Sequence, residues 1–456
     1  MRRSLGLAFA AAILVAGGIL YGLVVLLDFK EVDSTAKLDA KALFVLVKIS
    51  FGVVAGAGAL VALVVAYRRQ RVDEVAAQRE DTRLHTERFS QAVDKLGSDS
   101  PAVRLGGVHA LAGLADDAPT QDLRQTCIDV LCAYLRLPFS AHPGDLLDPL
   151  PDGTSPTEEQ REAHQVKEDQ YRALREVRHT ILRLIGDHYR IPKDTHRSWQ
   201  GCNLDLTRVT IDGDMNFEGA TFSDGTVNFN GATFSDGTVR FNNATFSGGD
   251  VRFSGAKFSG GTVQFGDATF SCGTVRFTGA TFSGGDVNFD GATFSGGDVY
   301  FDGATFSGGD VYFGEATFFG GTVGFGSASF SGGIVNFNSA TFSCGIVYFN
   351  GASFSGGTVN FYRATFSGGT VRFGSATFSG GDVYFTGAKF SGGTVNFGSS
   401  TFSGGTVNFG SSTFFDGDVG FGSSTFSDGT VNFDNAEFSG GRVSFDGATG
   451  SIPRLD

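Results

Sequence analysis

The sequence predicts three regions in series: a hairpin of two transmembrane helices, an α-helical middle, and a C-terminal all-β solenoid filling about half the chain. Three observations predict it. Two apolar runs stand near the N terminus, at about 5–27 and 43–67, and a polar stretch with helical periodicity follows them. From about Met215 to Ala448 a twelve-residue unit then recurs about nineteen times. Gly 67 and Phe 47 stand against Met 2 and Trp 1 in 456 residues. This bias is periodic, so unlike random glycine-rich sequence it offers apolar surface for burial.

Each apolar run is long enough at helical rise to cross the ~30 Å of bilayer hydrocarbon. A second run so soon after the first argues against a cleaved signal peptide. Lys48 lies near one end of the second run, where its ammonium snorkels to the interface. The pairs Gly52/Gly56 and Ala55/Ala59 give that run a small-residue face for packing on the first helix, or for dimerisation. Arg2 and Arg3 precede the hairpin and Arg68, Arg69 and Arg71 follow it, while the connecting loop Asp28–Ala42 has no arginine cluster. The positive-inside rule therefore puts both termini in the cytoplasm. The expected organisation is 1–67 in the membrane, 68–200 as a cytoplasmic helical region with a Pro-rich linker over 138–156, 201–450 as the solenoid, and 451–456 as a tail.

The segment 68–95 lacks Pro and Gly and suits a helical stalk. Ser100 and Pro101 form an N-cap and first-turn pair, and Val108, Leu111, Ala112 and Ala115 share one helical face up to about Asp116. Leu123, Cys127, Val130, Leu131 and Leu135 mark a second helix that Pro138 closes. From Thr157 to about His188, Leu174, Val177, Ile181, Leu184 and Ile185 mark a long amphipathic helix, expected to pack on the earlier pair or to cap the solenoid. The segment 101–117 resembles part of a HEAT or armadillo helical repeat.

Little here points to chemistry. Cys127, Cys132, Cys202, Cys272 and Cys344 are odd in number and form no CxxC pair, so they read as free thiols in a reducing compartment. All seven histidines precede the repeats, and none has a metal-ligand partner at useful spacing. His85 near Glu87 and His188 near Asp187 are pairs a surface helix collects by chance. No catalytic, cofactor-binding or metal residue is expected, and no small-molecule substrate. The formal charge is −13, and from Gly201 onward 22 acidic side chains face 10 basic ones. That argues against a nucleic-acid partner.

The repeating unit, seen in 227–238 as VNFNGATFSDGT, parses as five plus five plus two. Each block of five has a small or branched apolar residue two positions before a Phe, so in an extended segment both point to one face, inward. The residue between them is mostly polar and points to solvent. Glycine-rich pairs supply corners, where positive φ and close backbone approach are required. Gly308–Asp310 is similar to a calcium β-roll segment, but the full nonapeptide is absent.

The pairs Ala220/Phe222, Val227/Phe229 and Ala232/Phe234 resemble the pentapeptide-repeat family. That resemblance implies a right-handed quadrilateral β-helix with Phe at the centre of each side. The two-residue insert after every second block departs from the family pattern. Two blocks plus insert then make half a turn, giving about 24 residues per coil, about ten coils, and a rod of roughly 45–50 Å. The rival arrangement has twelve residues per coil and two sides, and must fit facing Phe between sheets ~10 Å apart.

The order of segments, with 91–97 (QAVDKLG), 102–114 (AVRLGGVHALAGL), 128–137 (IDVLCAYLRL) and 199–206, resembles actinobacterial-type membrane-anchored pentapeptide-repeat proteins. The resemblance implies a multi-pass protein of the inner membrane of a bacterium. Another branch mimics DNA and occupies the DNA site of a topoisomerase, but the membrane runs and an uncharged stretch over 320–360 disfavour that here. A row of outward threonines, including Thr281, Thr293, Thr305 and Thr317, resembles an ice-binding or adhesive face, interrupted around Lys257, Lys389 and Glu437. The favoured reading is a non-enzymatic, membrane-tethered scaffold displaying an acidic solenoid to a protein partner, with homo-oligomerisation left open. Specificity is expected where the unit breaks its rule, at Phe319, Tyr362, Arg363 and Phe415, or in the helical middle.

Overall fold

A computed structural model describes residues 17–18, 21, 40–139, 142–147 and 154–451. The chain divides into two compact units, Met1–Leu84 and His85–Asp456. Helix α1, Ala40–Leu96, begins in the first and ends in the second. Among the described residues one helix, Gly52–Leu96, is long and apolar enough to cross a membrane. Of the two expected spans, the second coincides with the apolar part of this helix. The second apolar run is helical, whereas the first lies outside the described residues except Gly17, Gly18 and Tyr21, as does the loop before Ala40.

In the second unit, α2 (Pro101–Asp116), α3 (Gln121–Arg136) and α4 (Glu158–Arg190) follow. Pro101 starts α2, where its missing N–H has no intrahelical acceptor to lose. The Ser100 side chain makes no capping bond. Thr120 caps α3 by accepting from the Leu123 amide. Thr157 and Gln160 form a reciprocal capping box at the start of α4. The buried apolar faces of the three helices join the end of α1, at Ala92 and Leu96, in one core. A Cβ on Gly107 would lie 2.6 Å from the Leu96 amide nitrogen, so only glycine lets α2 approach so closely. The segment before α4 packs as well as links: Phe139 stacks on Tyr171 at 5.3 Å and His142 meets the same ring edge-on at 5.0 Å.

From β1 (Leu204–Asp205) to β42 (Thr449–Gly450) the chain forms short strands of two or three residues. Every fourth strand pairs, in parallel, to build four sheets of ten or eleven strands. We number the sheets first to fourth after β1 to β4. Val239 pairs with Val263, Phe270 with Phe294 and Phe318 with Phe342, so one coil holds 24 residues. The twelve-residue two-sided arrangement is thereby excluded. Inward Val, Ala and Phe are almost wholly buried from Ala220 to Phe426. Each Phe lies on its equivalent in the next coil, as Phe270 on Phe294 at 4.7 Å and 5° and Phe289 on Phe313 at 4.8 Å and 4°. Such offset pairs contribute about 0.5–1.5 kcal/mol each beyond area burial. The corner glycines serve this spacing: a Cβ on Gly285 would sit 2.2 Å from the Gly261 carbonyl oxygen one coil below.

Candidate interaction surfaces

The helical middle sits on the first coils. A Cβ on Gly186 of α4 would lie 2.3 Å from the Asn216 carbonyl oxygen, so helix and coil are in backbone contact. Tyr189, one turn on, packs against Phe217 and Phe222 and donates its hydroxyl to the Cys202 carbonyl at 2.6 Å. The long helix therefore both packs on the earlier helices and covers the first coil.

Two carboxylates fasten this joint. Asp116, buried at the end of α2, accepts from Trp199 Nε1 at 3.0 Å and from Arg197 Nε at 3.0 Å, and His188 Nε2 lies 3.2 Å away. The His188 ring stacks on Trp199 at 4.3 Å. Burial pushes the Asp116 carboxyl up, but hydrogen bonds from His188, Arg197 and Trp199 outweigh it and hold the group below the usual carboxylate range. Asp212, just after β2 (Thr210–Ile211), gathers Tyr171, Arg175 and His179 from α4. There too burial opposes, and the His179 and Arg175 contacts hold the carboxyl down at about 2. His188 thus faces Asp116 and not its neighbour Asp187, which pairs with Arg183 and Arg190. His85 lies 3.9 Å from Cys127 Sγ. These partners are far apart in sequence and follow no period, and sequence reasoning missed both.

No disulfide joins the five cysteines. Cys127, Cys132 and Cys202 are buried, while Cys272 and Cys344 are exposed. Burial raises the first two thiols, to about 11 and about 12, which leaves them unreactive. Among the described residues no group of three or more His, Cys, Asp or Glu is placed to hold a metal ion. An apolar cleft of about 470 Å³ in the helical region is lined by Leu96, Arg104, Tyr134, Phe139 and Arg178 among others. The Arg178 guanidinium there is committed to the Leu135 and Thr210 carbonyls and to the Phe139 ring.

The solenoid's interior is filled, so what it offers solution is its outer face. The threonines expected as one row are two: Thr281 and Thr305 belong to the second sheet, Thr293 and Thr317 to the fourth. Alternate blocks fall on alternate sides because the coil holds two units. The acidic residues are largely spent on local bonds. Asp250 accepts from Arg252 and Arg276 at 3.2 and 3.0 Å. Tyr348 reaches across Gly324 to Asp302 at 2.9 Å, filling a notch that a Cβ on Gly324 would block.

Of the four rule-breaking residues, Phe319 and Phe415 stand on one corner, between the fourth sheet and the first. Tyr362 and Arg363 stand on another, between the third and fourth, with the Arg363 guanidinium 4.9 Å over the Tyr362 ring. Arg363 adopts φ 56° there.

The class these features define is a four-sided parallel β-solenoid fronted by a helical cap. A family model for pentapeptide repeats matches in nine copies, over residues 206–257, 241–293, 253–305 and 345–394. The C-terminal region therefore carries pentapeptide repeats. Comparison with curated proteins and with solved structures gives no match.

Proposed function

We propose that this protein is a membrane-tethered, non-enzymatic scaffold that holds a β-solenoid at the inner face of a bacterial inner membrane for protein–protein interaction. The observation that carries the reading is the division of labour along the chain. Among the described residues one helix is long and apolar enough to span a bilayer; its Val61, Leu63, Val64 and Val65 side chains are exposed and need apolar surroundings. The solenoid beyond has a core closed to water and a long, regular outer face. Solenoids of this kind act through extended surfaces.

The two exposed thiols supply the test. A membrane-impermeant maleimide applied to intact cells leaves Cys272 and Cys344 unlabelled, and labels both once the inner membrane is opened. The protein sediments with membranes throughout and leaves them in detergent but not in high salt. Labelling in cells whose inner membrane is intact would place the solenoid outside, and release by salt would remove the tether.

A further inference from the structure

We propose that two copies of this chain associate side by side and antiparallel along one corner of the solenoid, through Phe319 and Phe415. Each coil has two glycine corners, equivalent in sequence because the coil holds two units. At the corner between the second and third sheets, the position after each inward Phe is serine without exception from Ser235 to Ser427. At the corner between the fourth sheet and the first, the same position is serine except at Phe319 and Phe415, which are 57% and 59% exposed. The position after it is glycine or aspartate at both corners, except for Cys272 and Cys344, again on this one. Every departure from small or acidic residues at these positions falls on the same side.

Strand pairing steps from Phe318 through Phe342, Phe366 and Phe390 to Phe414, one coil at a time. The two exposed rings therefore project from one column, four coils apart, about 19 Å at the usual strand spacing. Only Ser343, Ser367 and Ser391 stand between them in that column, so a partner backbone can approach closely.

Three features point to a second copy as the occupant. A two-fold axis perpendicular to the solenoid through the level of Ser367 lays Phe319 against the partner subunit's Phe415 and Phe415 against the partner subunit's Phe319. One small surface thus closes into two identical contacts, as isologous interfaces do. The rings also bracket the one section of the solenoid that is not acidic. Residues 316–415 carry Arg363, Arg372 and Lys389 against Asp382, whereas 201–315 carries 14 acidic and 5 basic side chains and 416–456 carries 7 and 2. Copies of an acidic chain repel least when they meet there. Finally, a strip one corner wide and about five coils long, roughly 24 Å at the usual strand spacing, is small beside the roughly 800 Å² per partner of a standard interface, which suits weak, reversible self-association of a chain that, on the function proposed above, is concentrated on a membrane.

The test is sedimentation velocity on the full-length protein in detergent, as a concentration series to about 100 μM, a range that covers micromolar dissociation constants. Phe319→Ser and Phe415→Ser each restore the unit's own residue, and circular dichroism checks that the fold is kept. The wild type is expected to dimerise. Either single variant weakens the dimer tenfold or more, and the double variant adds little, because each single already removes a ring from both contacts. Two deletions sharpen the result. Removing 370–381, one unit, carries Phe415 to the opposite corner and abolishes the dimer; removing 370–393, one full coil, keeps it on the same corner and preserves the dimer. A wild type monomeric across the series, a dimer indifferent to the serine variants, or one that survives the one-unit deletion would overturn the proposal. Additive losses in the double variant would overturn the antiparallel register.

Discussion

The solenoid and its helical cap are stabilised in opposite ways. In the solenoid one contact is repeated: an inward Phe lies on the Phe a coil away, between parallel backbones, so each position is supported by copies of itself above and below. In the cap every contact is unique. Asp116 joins α2 to Trp199, Arg197 and the end of α4, and Asp212 joins the start of the β region to the middle of α4. Damage to the first kind is shared among neighbours; damage to the second has no substitute.

The largest effect is expected from charging the repeated core. Phe294→Asp would bury an unpaired carboxylate between Phe270 and Phe318, at a cost of several kcal/mol, and disrupt the coils around it. Its outward neighbour Thr293→Ala should change stability by no more than about 0.5 kcal/mol. Thermal melting followed by β-sheet circular dichroism checks both, and a Phe294→Asp variant with an unchanged melt would refute the inward assignment. Next comes Asp116→Ala, which strands the buried Trp199 and His188 groups and should cost about 3–5 kcal/mol. Because the chain holds a single tryptophan, Trp199 fluorescence reports the cap alone. In this variant it should melt well below the β signal; coincident melting would show that cap and solenoid are one cooperative unit.

Acid should separate the two regions more mildly. The Asp212 carboxyl is held at about 2 in the folded protein, below its ordinary value near ~3.9. A depressed carboxylate contributes stability that is present above the unfolded pKa and lost as pH falls from ~4 towards ~2, here about 2.5 kcal/mol. Trp199 fluorescence melts against pH should show this loss in the wild type and a smaller one in Asp212→Asn, where only the lowered Asp116 carboxyl still contributes. Within the core a small effect is expected at Ser400, whose buried hydroxyl donates to the Phe373 carbonyl at 2.6 Å where earlier units have alanine, as at Ala376. That carbonyl also accepts from the Ala376 amide, so Ser400→Ala should cost under about 1 kcal/mol in a urea melt.

The same contrast explains what could be read from sequence. A contact repeated at fixed spacing leaves a period, so the inward Phe, the corners and the 24-residue coil were all legible, and twelve residues per coil could be ranked second on side-chain size. What depends on knowing which side a unit occupies was not legible until the coil was fixed. Thr281 and Thr293 looked like one row and lie on two sheets, and Phe319 and Phe415 were visible as exceptions but not as neighbours on one corner. The cap left helical faces and caps to read, at Val108, Leu111 and Thr157. Its fastenings left nothing, because Asp116 and Trp199 meet across 83 residues with no pattern to announce them.

The central claim, a coil of 24 residues with alternate units on opposite sides, can be measured on the native thiols. Cys272 and Cys344 are exposed while the other three cysteines are buried, so nitroxide labelling should mark those two alone. Double electron–electron resonance, with labelled protein diluted into unlabelled, then reports their separation. They lie in one corner column three coils apart, which predicts a backbone separation of about 14 Å. A separation near ~29 Å, as twelve residues per coil would give at the same strand spacing, would contradict the account.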